Sequence, residues 1–398
     1  MNKHLLTAVS ATVLMAVGAS GCRSKPTPPP VERPVVAVEP PALVRAWKAK
    51  LDLRGQRVHQ LHLSDEFVFV YTGGREVYVF DRASGTRVNL ARLNGRPTHP
   101  PVVTEDNVVY PTDSTLEVYD KRGRFVRSVA VGNTIRTGVV QSGDRLALGV
   151  DHDGRGRVLF VDVTKPYRDV TPIQTARAIS AAPASRQGVT YVGSEDGSVY
   201  AISPENAAAW ALPGGVFKTA GAIVADLAAD QGATANVYVA STDSKLYALN
   251  AGSGQIRWQY YAGAALTTGP TVTAENIYLS VPGTGLVAID KTTGESIRKA
   301  KWSLIDATQL LAEDAQHAYV LGTGNRVYGV DRKTGKVTFT SQRTDLSIFA
   351  QNTKDGTIYA ATPAGEIIAA APVLTSGKMG ELVMDDAAAH EVVALGSR

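Results

Sequence analysis

One cysteine, seven histidines and 37 acidic residues are the groups from which this 398-residue chain could build a metal site or a nucleophile. Their spacing supports neither. A thiolate metal site or a thiol redox pair needs more than Cys22 alone. His59 and His62 stand three apart in an alternating apolar segment, and an odd spacing on a strand sends side chains to opposite faces, which argues against shared ligation. Asp151-His152-Asp153-Gly154 hints at a calcium loop, but the third acid and the terminal Glu of an EF-hand are missing, so a hairpin tip is the better reading. No nucleophile elbow, phosphate loop or His-Glu-x-x-His helix occurs. Acids recur instead in turns such as Asp290-Lys291-Thr292-Thr293-Gly294 and Asp331-Arg332-Lys333-Thr334-Gly335. There a carboxylate accepts a backbone N–H and glycine supplies a positive φ, a structural task.

Those turns punctuate a repeat. From about Leu43 to Pro372 one phrase returns: alternating apolar residues, a short turn, alternating apolar residues, then a turn with acid and glycine. The clearest copies run from Phe67 to Val88, Val237 to Trp258, Ile277 to Ile297 and Ala318 to Val337; weaker ones run from Val109, Leu146, Thr190 and Ile358. The second strand of each copy ends at Asp81, Asp120, Asp162, Ser203, Asn250, Asp290, Asp331 and Ala371, with successive differences of 39, 42, 41, 47, 40, 41 and 40. A period near 40 built from period-2 strands predicts an all-β chain, an eight-bladed β-propeller with four-stranded antiparallel blades. Leu43 to Leu51 matches the outer strand of a repeat, as Ile256 to Tyr260 does, and the eighth copy lacks one. The N-terminal strand is therefore expected to complete the last blade and close the ring. Trp47, Trp258 and Trp302 then occupy equivalent positions, packing between blades near the rim; the competing reading makes them an aromatic floor for a flat cofactor.

Ahead of the repeat lies an address. Lys3, an apolar run from Leu5 to Val17 and then small residues follow signal-peptide grammar, and the run is short for a membrane span. Ala19-Ser20-Gly21-Cys22 resembles the lipobox of bacterial lipoproteins, which implies lipid on Cys22; the alternative is an ordinary signal-peptidase site nearby. Seven prolines between Arg23 and Pro41 bias that stretch toward an extended tether. The expected domains are 1–21 signal peptide, 22–42 lipidated cysteine and tether, 43–373 propeller and 374–398 tail. Lys and Arg exceed Asp and Glu by only four, with no basic run, so no nucleic-acid partner is expected.

The phrase aliphatic-Tyr-Val, Gly/Ser-rich turn, Leu-Tyr-Ala-Leu, x-x-Thr-Gly, then Trp resembles the repeat of quinoprotein-like (PQQ-type) propellers; the Gly-His and Trp-Asp signatures of WD40 repeats are missing. Together with the lipobox, the tether and eight copies, residues 1–372 are similar to the BamB family of propeller lipoproteins, part of the outer-membrane β-barrel assembly machinery. The resemblance implies a non-catalytic scaffold, lipid-anchored in the bacterial envelope at the outer membrane and facing the periplasm, with protein partners and no cofactor or metal. The family's partner-contacting stretch matches Thr175 to Pro183, with Ala182-Pro183 in register but the leucines absent; its second, acidic contact matches Lys218 to Gly221, which has no acid. Candidate partner-binding residues are Arg177, Ile179 and Phe217, on loops expected side by side on one face. The competing reading packs Ile179 and Phe217 between blades. A second functional class, a cofactor- or small-molecule-binding enzyme or sensor of PQQ type, lacks the adjacent cysteines that such enzymes hold against their quinone.

Overall fold

A computed structural model describes residues 43–165, 173–232, 235–292, 296–341, 343 and 345–372. The signal-peptide, Cys22 and tether expectations, and the tail, fall outside the described residues.

Eight separate antiparallel sheets follow one another along the chain. Blades 1 to 7 span 58–92, 102–130, 140–174, 184–218, 228–261, 271–304 and 307–340, and blade 8 spans 348–372. Third strands end at Asp81, Asp120, Val161, Ile202, Asn250, Asp290, Asp331 and Pro372, each within one residue of the position the repeat predicts. Blade 8 takes its outer strand from the start of the propeller: Leu43–Lys50 runs antiparallel to Glu366–Pro372, with Leu43 opposite Pro372 and Lys50 opposite Glu366. The expected closure by the N-terminal strand is what the chain does.

Burial explains why a blade cannot stand alone. Second strands such as Phe67–Thr72 and Asn236–Ser241 are buried at every position, so both faces lie under neighbouring blades. Outer strands such as Leu43–Lys50 alternate buried and exposed residues. The apolar core accordingly divides into eight clusters, each shared by two successive blades, including one that joins blade 8 to blade 1 through Trp47, Phe80 and Tyr359.

Blade 5 departs from the four-stranded pattern. Ile297–Arg298, from the connection before the outer strand of blade 6, pairs in parallel with Gln259 and Tyr260 and adds a fifth strand. That connection is longer than the 331–337 turn of blade 7, and it reaches an outer edge whose backbone groups are otherwise unpaired.

Trp47, Trp210 and Trp302 seat on turn glycines of the next blade, whereas Trp258 lies under the Arg298 guanidinium at 5.0 Å. Trp47, Trp258 and Trp302 pair across their sheets with Ala369, Ala248 and Ala288, and each packs on a tyrosine 5.8–6.0 Å away. Trp210, on a third-to-fourth-strand connection that the repeat pattern did not single out, packs on Tyr191 in the same way. Trp47 Nε1 donates to the Arg82 carbonyl, Trp210 to Ala251 and Trp302 to Arg332, at 2.8–3.0 Å. The glycines of those turns, Gly85, Gly254 and Gly335, have φ of +69°, +73° and +75°, and a Cβ there would lie 2.4–2.5 Å from the indole side chain. The aromatic residues are thus blade-to-blade wedges, not a floor.

Candidate functional site

Two faces follow from the strand order. The upper face carries the blade-to-blade connections and the hairpins between second and third strands; the lower face carries the remaining turns. On the lower face the aspartates behave as the sequence predicts. Asp331 Oδ1 accepts from the Lys333 and Thr334 amides and the Thr334 hydroxyl, and Asp81 Oδ1 accepts from the Ser84 amide and hydroxyl. The hydroxyl bonds are the leading cause that holds both carboxyls below the usual range. The cation after the acid reaches the preceding blade: Arg82 to Asp355 at 3.2 Å, Lys121 to Glu66 at 2.8 Å, Lys291 to Asp230 at 3.1 Å and Arg332 to Glu275 at 3.0 Å. These groups tie blades together and are committed to one another.

The metal candidates separate. His62 meets the Tyr71 ring edge-on at 4.6 Å, and burial pushes its imidazole down to about 4. His59 is exposed and lies against Gly73, where a Cβ would come within 3.0 Å of its Nε2. Asp151-His152-Asp153-Gly154 forms a hairpin tip, with positive φ at Asp153 and Gly154 and an ion pair from Asp151 to Arg136 at 3.2 Å. Among the described residues no three His, Cys, Asp or Glu side chains gather as a metal would require.

The upper face over blades 3 to 5 brings the predicted loops together. Glu195 N–H donates to the Ala178 carbonyl, Ile223 N–H to Ser194 and Thr242 N–H to Ala222, so the 177–183 connection, the 194–197 hairpin, the 219–227 connection and the 241–244 hairpin form one hydrogen-bonded belt. Asp226 Oδ1 accepts from the Ala182 amide at 2.7 Å and fastens the two connections directly. The predicted residues then part company. Arg177 is exposed; its carbonyl takes the Gly156 amide and the Thr175 hydroxyl, while its guanidinium has no partner among the described residues. Ile179 is 2% exposed and wedged over Gly149 and Gly156, where Cβ atoms would lie 2.9 and 2.5 Å from it. It therefore supports the loop from beneath and offers a partner no surface. Phe217 lies not on a loop but in the outer strand Val216–Lys218, where it is half-buried against the core shared by blades 4 and 5, pairs with Val199 and meets the Tyr247 ring at 5.4 Å, as the competing reading has it.

Two acids stand here that the 218–221 segment itself lacks. Burial raises the Asp196 carboxyl, but Lys218 at 2.7 Å and the Ser198 amide and hydroxyl outweigh it and hold the group at about 2. Asp243 Oδ2 accepts from the Ala220 amide at 3.1 Å and the Tyr247 hydroxyl at 2.7 Å. Both come from hairpins one strand pair away. The matching Ser-x-Asp spacing in neighbouring repeats, Ser194 to Asp196 and Ser241 to Asp243, was the signal available for them.

An eight-bladed propeller of PQQ-type repeats, with the acids and cations of its turns spent on holding blades together, is the class that this fold and site define. The chain matches the family described as outer membrane protein assembly factor BamB over residues 32–165, 139–261 and 195–395, and it belongs to that family. The crystal structure of BamB from Moraxella catarrhalis is similar over 83% of this chain and 99% of that one, at 16% identity and a TM-score of 0.61. The crystal structure of the computationally designed Ika8 protein is similar over 82% of this chain and 98% of that one, at 15% identity and a TM-score of 0.58. Both likenesses are of fold. No curated protein matches the chain in sequence.

Proposed function

We propose that this protein is a non-catalytic scaffold of the bacterial envelope, anchored by lipid on Cys22, facing the periplasm, and binding protein partners in outer-membrane β-barrel assembly. Membership of the BamB family supports an assembly role at the level of the family. The observation that carries the docking assignment is Arg177: an unpaired, exposed guanidinium on a loop whose backbone is bonded on both sides. A planar donor fork held on a rigid loop suits a carboxylate or a pair of carbonyls. Ile179 acts through Arg177 by fixing the loop. The experiment is co-purification from detergent-solubilised envelope, read for barrel-assembly components. Arg177→Glu is expected to cost about 2 kcal/mol or more of partner affinity with an unchanged thermal midpoint, and Cys22→Ser to shift the chain to the soluble fraction. Capture that persists in Arg177→Glu moves the docking surface elsewhere.

A further inference from the structure

Asn94-Gly95 is the only Asn-Gly pair in the chain. An asparagine followed by glycine is set up to cyclise on itself, because the next backbone nitrogen can reach the side-chain carbonyl carbon and glycine puts no Cβ in the way. This pair lies on the upper face, in the connection that leaves blade 1 after Arg87–Arg92 and enters blade 2 at Val102–Val103. The Asn94 side chain is exposed, so water for the reaction is at hand.

The pair does not stand free. Glu117, in the third strand of blade 2 (Thr115–Asp120), is 1% exposed and turns its carboxylate onto it. Glu117 Oε2 accepts from the Asn94 amide at 2.8 Å and from Asn94 Nδ2 at 3.2 Å, and Oε1 accepts from the Gly95 amide at 2.7 Å. One buried carboxylate therefore holds both the side-chain nitrogen that would leave and the backbone nitrogen that would attack. Gly95 is packed as well, since a Cβ there would lie 3.0 Å from Thr112 Cβ. On either side of the pair the segment is fastened: the Tyr119 hydroxyl donates to the Arg92 carbonyl at 2.6 Å, and the Arg96 guanidinium donates to the Gly73 carbonyl at 2.5 Å.

We propose that Asn94-Gly95 is a deamidation site that the Glu117 carboxylate holds shut. While it donates to an anion, the Gly95 N–H keeps its proton and its nitrogen stays in the peptide plane, turned toward Glu117. Once the connection opens, hydroxide takes that proton and the nitrogen attacks Asn94 Cγ. The N–Cγ bond forms, the Cγ–Nδ2 bond breaks, and ammonia leaves with a proton drawn from water. Water then opens the ring at either carbonyl and leaves aspartate or isoaspartate at position 94. The product does not re-form the old contact, because a carboxylate now stands where Nδ2 donated and faces the Glu117 charge. The reaction thus records an opening of the connection between blades 1 and 2 in covalent form. The inference is independent of the Arg177 surface over blades 3 to 5.

The test incubates the full chain at neutral pH and physiological temperature and reads the fraction deamidated at Asn94 by peptide mass mapping. E117Q, which keeps the shape and removes the charge, is expected to deamidate about tenfold or more faster than the parent, as loss of charge-assisted hydrogen bonds implies. E117D keeps the charge but shortens its reach; it is expected to move the rate in the same direction and decides the matter if E117Q lacks a cooperative thermal transition. Gly263→Ala, which strains a distant turn, is the control for global loosening and is expected to leave the rate unchanged. N94D, which mimics the product, is expected to speed hydrogen exchange at the Gly95 amide. An unchanged rate in the Glu117 variants, an equal rise in Gly263→Ala, or unchanged exchange in N94D overturns the proposal. So does a rate that falls in E117Q, which would make the carboxylate a base that assists the attack.

Discussion

At the residue scale, the chemistry that looked available in the sequence is spent on structure. His62 shows this most directly. Its folded-state value of about 4 lies below the ordinary 6.5 because burial disfavours the imidazolium. The folded state therefore binds fewer protons than the unfolded state, and the stabilisation is complete above about pH 6.5 and is lost as pH falls from there toward 4. His62→Phe keeps the ring contact with Tyr71 and removes the titration. Urea midpoints at pH 7 and pH 4.5 should diverge less in the variant than in the parent, with at most about 3 kcal/mol at stake. An equal pH dependence in both proteins would show that other groups govern acid sensitivity.

At the element scale, three seams are built on the tryptophan of one blade seated on the turn glycine of the next: Trp47 on Gly85, Trp210 on Gly254 and Trp302 on Gly335. Gly335 combines a φ of +75° with a Cβ position 2.4 Å from the Trp302 side chain, whereas Gly263 has a φ of +77° and nothing within 4 Å. Both substitutions to alanine strain the backbone, but only Gly335→Ala also overpacks a seam. The expected costs are about 1 kcal/mol at Gly263 and about 2–4 kcal/mol at Gly335. Chemical denaturation of the two variants separates strain from packing; equal losses would mean that the indole shifts freely. The fifth strand of blade 5 belongs to this scale too, because an outer edge with unpaired backbone groups accepts whatever strand the chain can bring to it.

At the scale of the whole molecule, stability rests on closing the ring. Eight core clusters each join two blades, so an open ring leaves both terminal blades with a bare face. Deleting 43–50 strips the outer edge of Glu366–Pro372, which keeps only its pairing with Ile358–Ala361, and removes Trp47 from the seam with blade 1. The expected result is loss of a single cooperative thermal transition, with exposed blade edges promoting association. Because Leu43 lies opposite Pro372, moving 43–50 behind Pro372 through a short hairpin turn should restore that transition. Failure of the transplanted strand to rescue, measured by calorimetry, would mean that the order of the chain and not the strand itself closes the ring.

The sequence by itself determined the blade count, the place where each repeat ends and the strand that closes the ring. Those follow from period-2 apolar patterning and from turns such as Asp331 to Gly335, whose local chemistry survives in any context. It also carried the signature of the family, since Tyr, Trp and Gly recur where blades touch. Only the tertiary structure decided which exposed groups are free. Ile179 and Arg177 are two residues apart, yet one is wedged over Gly149 and Gly156 and the other is open, because the difference is set by a neighbouring blade. Asp243 lies far along the chain from Ala220 and still accepts its amide. The Arg96 guanidinium likewise donates to the carbonyl of Gly73, 23 residues earlier in the chain and on the neighbouring hairpin. Periodicity reports what each strand repeats, and a surface is made of what successive blades bring to the same loop face.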